Sequence, residues 1–277
     1  MFFAMQFQQA THDRNEVTAK QDALIEDLTD AESTRSHILS EISGHLKKEG
    51  ISVIVIENEG ILRLPEEILF DKSSWELKKS GASNPVKALA RALDSVLPCY
   101  TLGPRSREDR CPKTKSKIEA IFIEGHADSD AFHPKTAQSA AAEVGQQSNL
   151  VSQPPFSIFG EAATPSEHRG TSRGVAGRAL FPPKDNLDLS ALRATTTYRE
   201  LLNARQELNK YLNPENNPVL SVSGYGEYRP LAQEGGEGPE SHKQRNRRID
   251  IRILMATPKA AEAKQMQQDI DRSATNQ

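Results

Sequence analysis

Residues 129–185 constrain this chain more than any other stretch. From "KTAQSAAAEVGQQSNLVSQPP" to "TPSEHRGTSRGVAGRALFPP" the run is dominated by Ala, Ser, Gly, Pro and Gln, without strand or helix period. Structureless loops longer than about 15 residues are foreign to the interior of a compact domain. The run is therefore read as an insertion, with Phe156, Ile158 and Phe159 able to pin part of it down. Whatever the patterned segments before and after it build, they build across this gap.

The patterned segments alternate between two periods. From Thr11 to about Lys48 the chain is charged and free of Pro. Val17, Leu24, Leu28, Ala31, Ile38 and Ile42 recur at three- and four-residue steps, interrupted by Arg35. That is a helix with a weak heptad-like seam, ended by "KKEG" with Gly50 as its cap. "ISVIVIENEGILRLP" switches to strand chemistry around a hairpin turn at Glu57–Gly60. "EEILFDKSSWELKKSG" reads as a loop leading to a short helix. Asn84-Pro85 opens a further helix with Val86, Leu89, Ala90, Leu93 and Leu97 on its apolar face. "KIEAIFIEGHAD" is a buried strand. Beyond the insertion, Leu189, Leu192, Thr196, Leu201, Leu202 and Leu208 predict a helix to about Leu212. "PVLSVSGYGEYRP" is a strand entering a glycine turn, "EGGEGPESHKQ" a polar loop, and "RNRRIDIRILM" a closing strand with Ile249, Ile251 and Ile253 on one face. The order β-β-α-β, insertion, α-β-β makes an α+β layered domain.

Composition excludes some functions. The formal net charge is −3 and aromatics are 5% of the 277 residues, so neither a basic face nor a stacking platform for nucleic acid is expected. No apolar run reaches the roughly 18 residues of a membrane span. Phe2, Phe3, Met5 and Phe7 read either as the last turns of a truncated membrane helix or as an ordinary exposed start. Cys99 and Cys111 are too far apart for C-x-x-C chemistry. A disulfide closing their Pro/Gly/Arg loop is favoured over two unrelated thiols, and would imply an oxidising compartment.

Five short stretches occur in a telling order: "FDKSSWEL" (70–77), "IEGHAD" (123–128), "NLDLSALRA" (186–194), "GYGEYRP" (224–230) and "NRRIDI" (246–251). Together they resemble the OmpA-like, or OmpA/MotB C-terminal, peptidoglycan-binding domain, whose pattern in these places runs F-x-x-x-S-x-x-L, I-x-G-H-T-D, N-x-x-L-S-x-x-R-A, G-x-G-E-x-x-P and N-R-R-V. The resemblance implies a β-α-β-α-β-β arrangement of helices on a small mixed sheet, here preceded by a long N-terminal helix. It divides the chain into an apolar start (1–10), a helical, weakly coiled-coil linker (11–50), the domain with its insertion (51–256) and a flexible tail (257–277).

The resemblance also implies a site for the diaminopimelate stem peptide of peptidoglycan. Asp128 matches the residue that engages the ligand ammonium and Arg193 the one that engages its carboxylate, with Asn186 and Leu189 on the same helix face. Arg247 and Arg248 are expected to support the site, although cross-sheet salt bridges are an equal alternative for each. The residue types fit such a ligand, because a zwitterion needs an anion and a fork of donors at opposite ends of a small cleft. Ala127 stands where the family usually has Thr, and the insertion would hang beside the cleft. No cofactor or metal is implied. His126, Asp128 and His133 offer a rival metal or acid/base reading, but no further cluster has supporting spacing.

An apolar start, a charged helix and then this domain is the order found in MotB-type stator subunits. The expectation is a non-enzymatic, periplasm-facing anchor of an ion-driven inner-membrane complex. It would be held in the membrane by a segment missing from or upstream of this chain, homodimeric through its helix, and partnered by a MotA-like subunit. The Cys-bearing loop and enlarged domain also suggest the MotB-like subunit of Zorya anti-phage systems. The alternatives are an outer-membrane-associated or soluble wall tether without a motor role, and a degenerate scaffold that no longer binds wall.

Overall fold

A Pro-free run from Phe2 to Lys48 forms one continuous helix, α1 (Phe2–Lys48). His45, Lys47 and Lys48 sit in its last turn, where cations oppose the carbonyl end of the helix dipole. Gly50 (φ 75°) then takes the left-handed cap, and the amide of Ile51 returns to the Leu46 carbonyl at 3.0 Å. The computed structural model describes residues 2–78, 84–107, 111–132 and 183–257. Most of the insertion and nearly all of the tail lie outside the described residues. Among the described residues, no helix is long and apolar enough to cross a membrane.

The C-terminal part of α1 belongs to the domain core. Ile38, Leu39, Ile42 and Leu46 are fully buried in the same core as α2 (Pro85–Val96), so a boundary at residue 50 would cut through that core. The reason is the period. These four residues share one stripe of a 3.6-residue helix, whereas Ile25 and Leu28, further toward the N-terminus, are 61% and 46% exposed. Asp30 anchors the helix from its other side by accepting hydrogen bonds from the hydroxyls of Thr114 and Ser116.

The strands are β1 (Ile54–Ile56), β2 (Ile61–Pro65), β3 (Ile118–His126), β4 (Leu220–Gly224) and β5 (Arg248–Met255). They form one mixed sheet in the order β1-β2-β5-β3-β4, antiparallel except for the β3–β4 pair. Strand period divides its faces. Leu62, Leu64, Ile121, Ile123, Ile249, Ile251 and Ile253 face the helices and are buried. Arg63, Glu124, His126, Arg248, Asp250 and Arg252 occupy the opposite face. The fold is thus α+β, with a small mixed five-stranded sheet and a long N-terminal helix.

Three local expectations are corrected. No α-helix follows residue 66 before the undescribed 79–83. Instead a 3₁₀ turn (Glu66–Ile68) leads to an isolated bridge between Phe70 and Leu77, which folds the "FDKSSWEL" motif into a loop. The helix beyond the insertion, α3 (Asn186–Ala204), stops short of Leu212. Arg205 leaves helical geometry (φ −146°), and a 3₁₀ segment (Gln206–Lys210) delivers Tyr211 to the core, where its hydroxyl donates to the Asp94 carboxylate at 2.8 Å. The polar loop before the last strand contains a short helix, α4 (Pro239–Asn246). It carries almost no apolar residues, so no apolar period marks it; Pro239 at its first turn was the available cue.

Cys99 and Cys111 are joined in a disulfide with Cα atoms 5.2 Å apart. It closes the loop between α2 and β3.

Candidate functional site

The C-terminal end of β3 and the N-terminal turn of α3 meet in a cavity of about 370 Å³ lined by Glu66, Lys72, Asp128, Asn186, Leu189, Arg193 and Arg247, among others. Backbone contacts set its position. Asp185 caps α3 by accepting the Asp188 amide at 2.8 Å. α3 lies so close to β3 that a Cβ on Gly125 would come 2.0 Å from the Ser190 carbonyl oxygen. The turn after β4 locks this junction: the Ala127 amide donates to the Gly226 carbonyl and the Gly226 amide to Ser190 Oγ, both at 2.8 Å. The motifs at 123–128, 186–194 and 224–230 are therefore one structural unit.

Within the cavity four charges interlock. Asp128 accepts the Asp130 amide on Oδ1 at 3.0 Å and Arg247 Nη1 on Oδ2 at 2.5 Å. Arg193 donates through Nε to the Ser74 carbonyl at 2.8 Å and through Nη2 to Glu66, while its guanidinium lies 5.5 Å from the Phe70 ring centroid. These bonds use two of its five N–H groups. Asn186 points its amide at the Asp128 and Asp130 carbonyls, at 3.2 and 2.8 Å, and so ties the exit of β3 to the start of α3. At the rim, Lys243 pairs with Asp130 at 2.7 Å. Burial holds the Arg193 guanidinium below its ordinary pKa and pushes the Glu66 carboxyl above its own.

The structure brings Asp128, Asn186, Leu189, Arg193 and Arg247 together, and it separates Arg248 from them. Neighbouring residues on extended backbone point to opposite sides, so Arg247 reaches the cavity and Arg248 the far face of the sheet. There Arg248 donates to Asp250 at 3.0 Å and to the Asn246 and Arg229 carbonyls. The site expectation for Arg248 is corrected to a structural role. Sequence reading missed Glu66, whose only cue was an acidic residue directly after a strand. It also missed Lys72 and Asp130.

His126 does not line the cavity either. It sits with Glu124 and Asp250 in a buried trio whose ligand-type atoms lie within 4.8 Å of one another. Arg63 holds Asp250 in a two-pronged pair (2.8 and 3.0 Å), Arg248 adds a third contact, and Arg252 takes Glu124 at 3.0 Å. Three guanidiniums already neutralise these carboxylates, so a divalent cation would meet repulsion there. His133 lies outside the described residues.

The trio has a consequence for acid stability. Burial, with Arg248 next, pushes the His126 pKa down to about 3. The imidazole is then neutral in the fold but charged in the unfolded chain below its ordinary value of about 6.5. Folding stability should fall as pH drops from about 6.5 toward 3, by up to roughly 1.4 kcal/mol per unit from this group. Neither ring nitrogen makes a hydrogen bond among the described residues, and the ring packs on Tyr225 at 5.2 Å. His126→Phe should therefore fold and flatten that slope. Urea midpoints between pH 7 and 4 test this; an unchanged slope in a folded variant refutes it.

No family model and no curated protein matches the sequence. Among solved structures, the chain is similar to a MotB-like protein from Desulfovibrio vulgaris (19% identity, 83% of this chain, 98% of that one, TM-score 0.40). It is also similar to the periplasmic domain of Helicobacter pylori MotB (17%, 76% and 82%, 0.35) and to the cell wall anchor of the T6SS from Pseudomonas aeruginosa (14%, 80% and 99%, 0.39). At these scores the likeness decides neither fold nor ligand, and both rest on the residues of this chain.

Proposed function

We propose that this chain is a non-enzymatic peptidoglycan anchor of the OmpA/MotB type, and that its cavity takes the zwitterionic end of the diaminopimelate stem. The observation that carries the reading is the joint position of Asp128 and Arg193. They stand on either side of the insertion in sequence, yet both line one cavity, each paired with a charge of opposite sign. Glu66, Asp128, Arg193 and Arg247 sum to zero charge, which suits a ligand that carries both signs. The ligand ammonium would take Asp128, and its carboxylate would take the uncommitted donors of Arg193.

The wider assignment is a periplasm-facing subunit of a MotB-like, ion-driven inner-membrane complex, of flagellar or anti-phage type. It would pair with a second copy through the exposed part of α1 and work with a MotA-like partner. The support is the order of a long charged helix before the domain, and the apolar residues Ile25 and Leu28 left exposed on that helix.

The test is co-sedimentation with purified sacculi, with free meso-diaminopimelate as competitor. The wild-type chain should pellet and be displaced. Asp128→Ala should lose about tenfold or more in affinity, as expected when one partner of a charge-assisted contact is removed. Absence of wild-type binding, or full retention by Asp128→Ala, would overturn the reading.

A further inference from the structure

Glu66 is the buried carboxylate of the cavity that no motif singled out. It is 6% exposed. Oε1 accepts Arg193 Nη2, and Arg247 Nε lies 3.3 Å from Oε2 without the alignment of a hydrogen bond. Its backbone is fixed as well, because the Glu66 amide donates to the Arg247 carbonyl at 3.0 Å. Arg247 is thus shared: one side of its guanidinium faces Glu66, and Nη1 is on Asp128 at 2.5 Å. Its third acidic neighbour, Glu240, is 3.4 Å away and itself 71% exposed.

We infer that Glu66 is the specificity-determining residue that makes this cavity prefer a zwitterion over a plain dicarboxylate. The inference rests on the reading of the cavity as a site for the zwitterionic ligand end. The reasoning is a count of buried charges. A ligand ammonium can reach Asp128 only by sharing it with Arg247 or displacing Arg247 from it. With Glu66 present, a displaced Arg247 still faces a carboxylate, so no charge is left buried and unpaired. Without the Glu66 charge, Arg193 and Arg247 face Asp128 alone. The cavity then carries one excess positive charge at short range and low dielectric, which repels an ammonium and attracts carboxylates. Specificity is a difference of affinities, and Glu66 acts on that difference with opposite sign for the two ligand types.

The experiment is calorimetric titration of the full chain with meso-diaminopimelate and with pimelate, which has the same carbon chain and carboxylates but no ammonium groups. The readout is the ratio of the two affinities. The wild-type chain should favour diaminopimelate, and Glu66→Gln should lower the ratio by about tenfold or more through weaker diaminopimelate and stronger pimelate binding. Arg247→Gln, at a side chain 17% exposed, should move the ratio the other way, because the cavity becomes net negative. This second variant keeps the inference testable if Glu66→Gln fails to fold, which thermal unfolding reports. An unchanged ratio in folded Glu66→Gln overturns the role of Glu66 and leaves the ligand assignment standing. So does a ratio in Arg247→Gln that stays level or falls. A wild-type chain that binds neither sacculi nor diaminopimelate removes the ligand assignment, and this inference with it.

Discussion

Arg193→Ala should lose sacculus binding and destabilise the fold by about 3–5 kcal/mol, the cost typical of removing one partner from a buried ion pair. Arg193 is 3% exposed and Glu66 6%, so truncation leaves the buried Glu66 to share Arg247 with Asp128, with one excess negative charge in the cavity. It also removes the donor to the Ser74 carbonyl and the cation over Phe70, which hold the 70–77 loop against α3. Two effects are mixed in that result, and a second substitution separates them. Adding Glu66→Gln to Arg193→Ala removes the excess charge and should recover much of the stability, while binding stays lost because the guanidinium proposed to take the ligand carboxylate is gone and Arg247 remains committed to Asp128. Arg193→Lys keeps a charge but cannot span Ser74 and Glu66 with a planar fork, so it should be intermediate in both. Denaturant midpoints and sacculus pull-downs on the same preparations decide the matter. Full binding in any stable Arg193→Ala protein would remove Arg193 from the site.

Gly125→Ala should be nearly as severe, by a different route. The added Cβ would sit 2.0 Å from the Ser190 carbonyl oxygen, and that oxygen belongs to helix backbone that cannot swing aside. α3 must move away from β3, at about 3 kcal/mol or more of overpacking strain. The same movement separates Arg193 on α3 from Asp128 just beyond β3, so binding should fall even where the variant folds. Gly44→Ala is the control. Its Cβ would meet nothing within 4 Å, and alanine in a helix interior is favoured over glycine by roughly 0.5–1 kcal/mol. Thermal midpoints and pull-downs of the two variants give the comparison. A Gly125→Ala protein as stable and as competent as the wild type would show that the β3–α3 contact does not set the site.

The ordered motifs carried most of this in the sequence, for a local reason. Whether a residue lies on a strand or a helix, and on which face, follows from period and from capping residues, and these are properties of neighbours in the chain. The isoleucines of β5, the Asn84-Pro85 start of α2 and the burial of Ile121 and Ile123 were legible in that way. That Asp128 and Arg193 line one cavity was expected only through the resemblance that the ordered motifs carry. By contrast, α4 has no apolar stripe to announce it. The burial of the C-terminal part of α1 is decided by what packs on it, since Leu28 and Ile38 look alike as sequence and only Ile38 meets the core.

The pairing of the charges in the cavity belongs to tertiary structure. Arg247 and Arg248 are identical and adjacent, and only the entry angle into β5 sends one to Asp128 and the other to Asp250. Glu66 follows one strand and meets arginines that follow or lie on distant elements. No period or motif encodes such a meeting. An ion pair depends on atoms a few ångströms apart in space, and that proximity exists only when sheet order and helix placement have been fixed by the apolar core. The sequence by itself determined the strands, most of the helices and their apolar faces, because these follow from local period; the tertiary structure decided which charges face one another, and so what the cavity can hold.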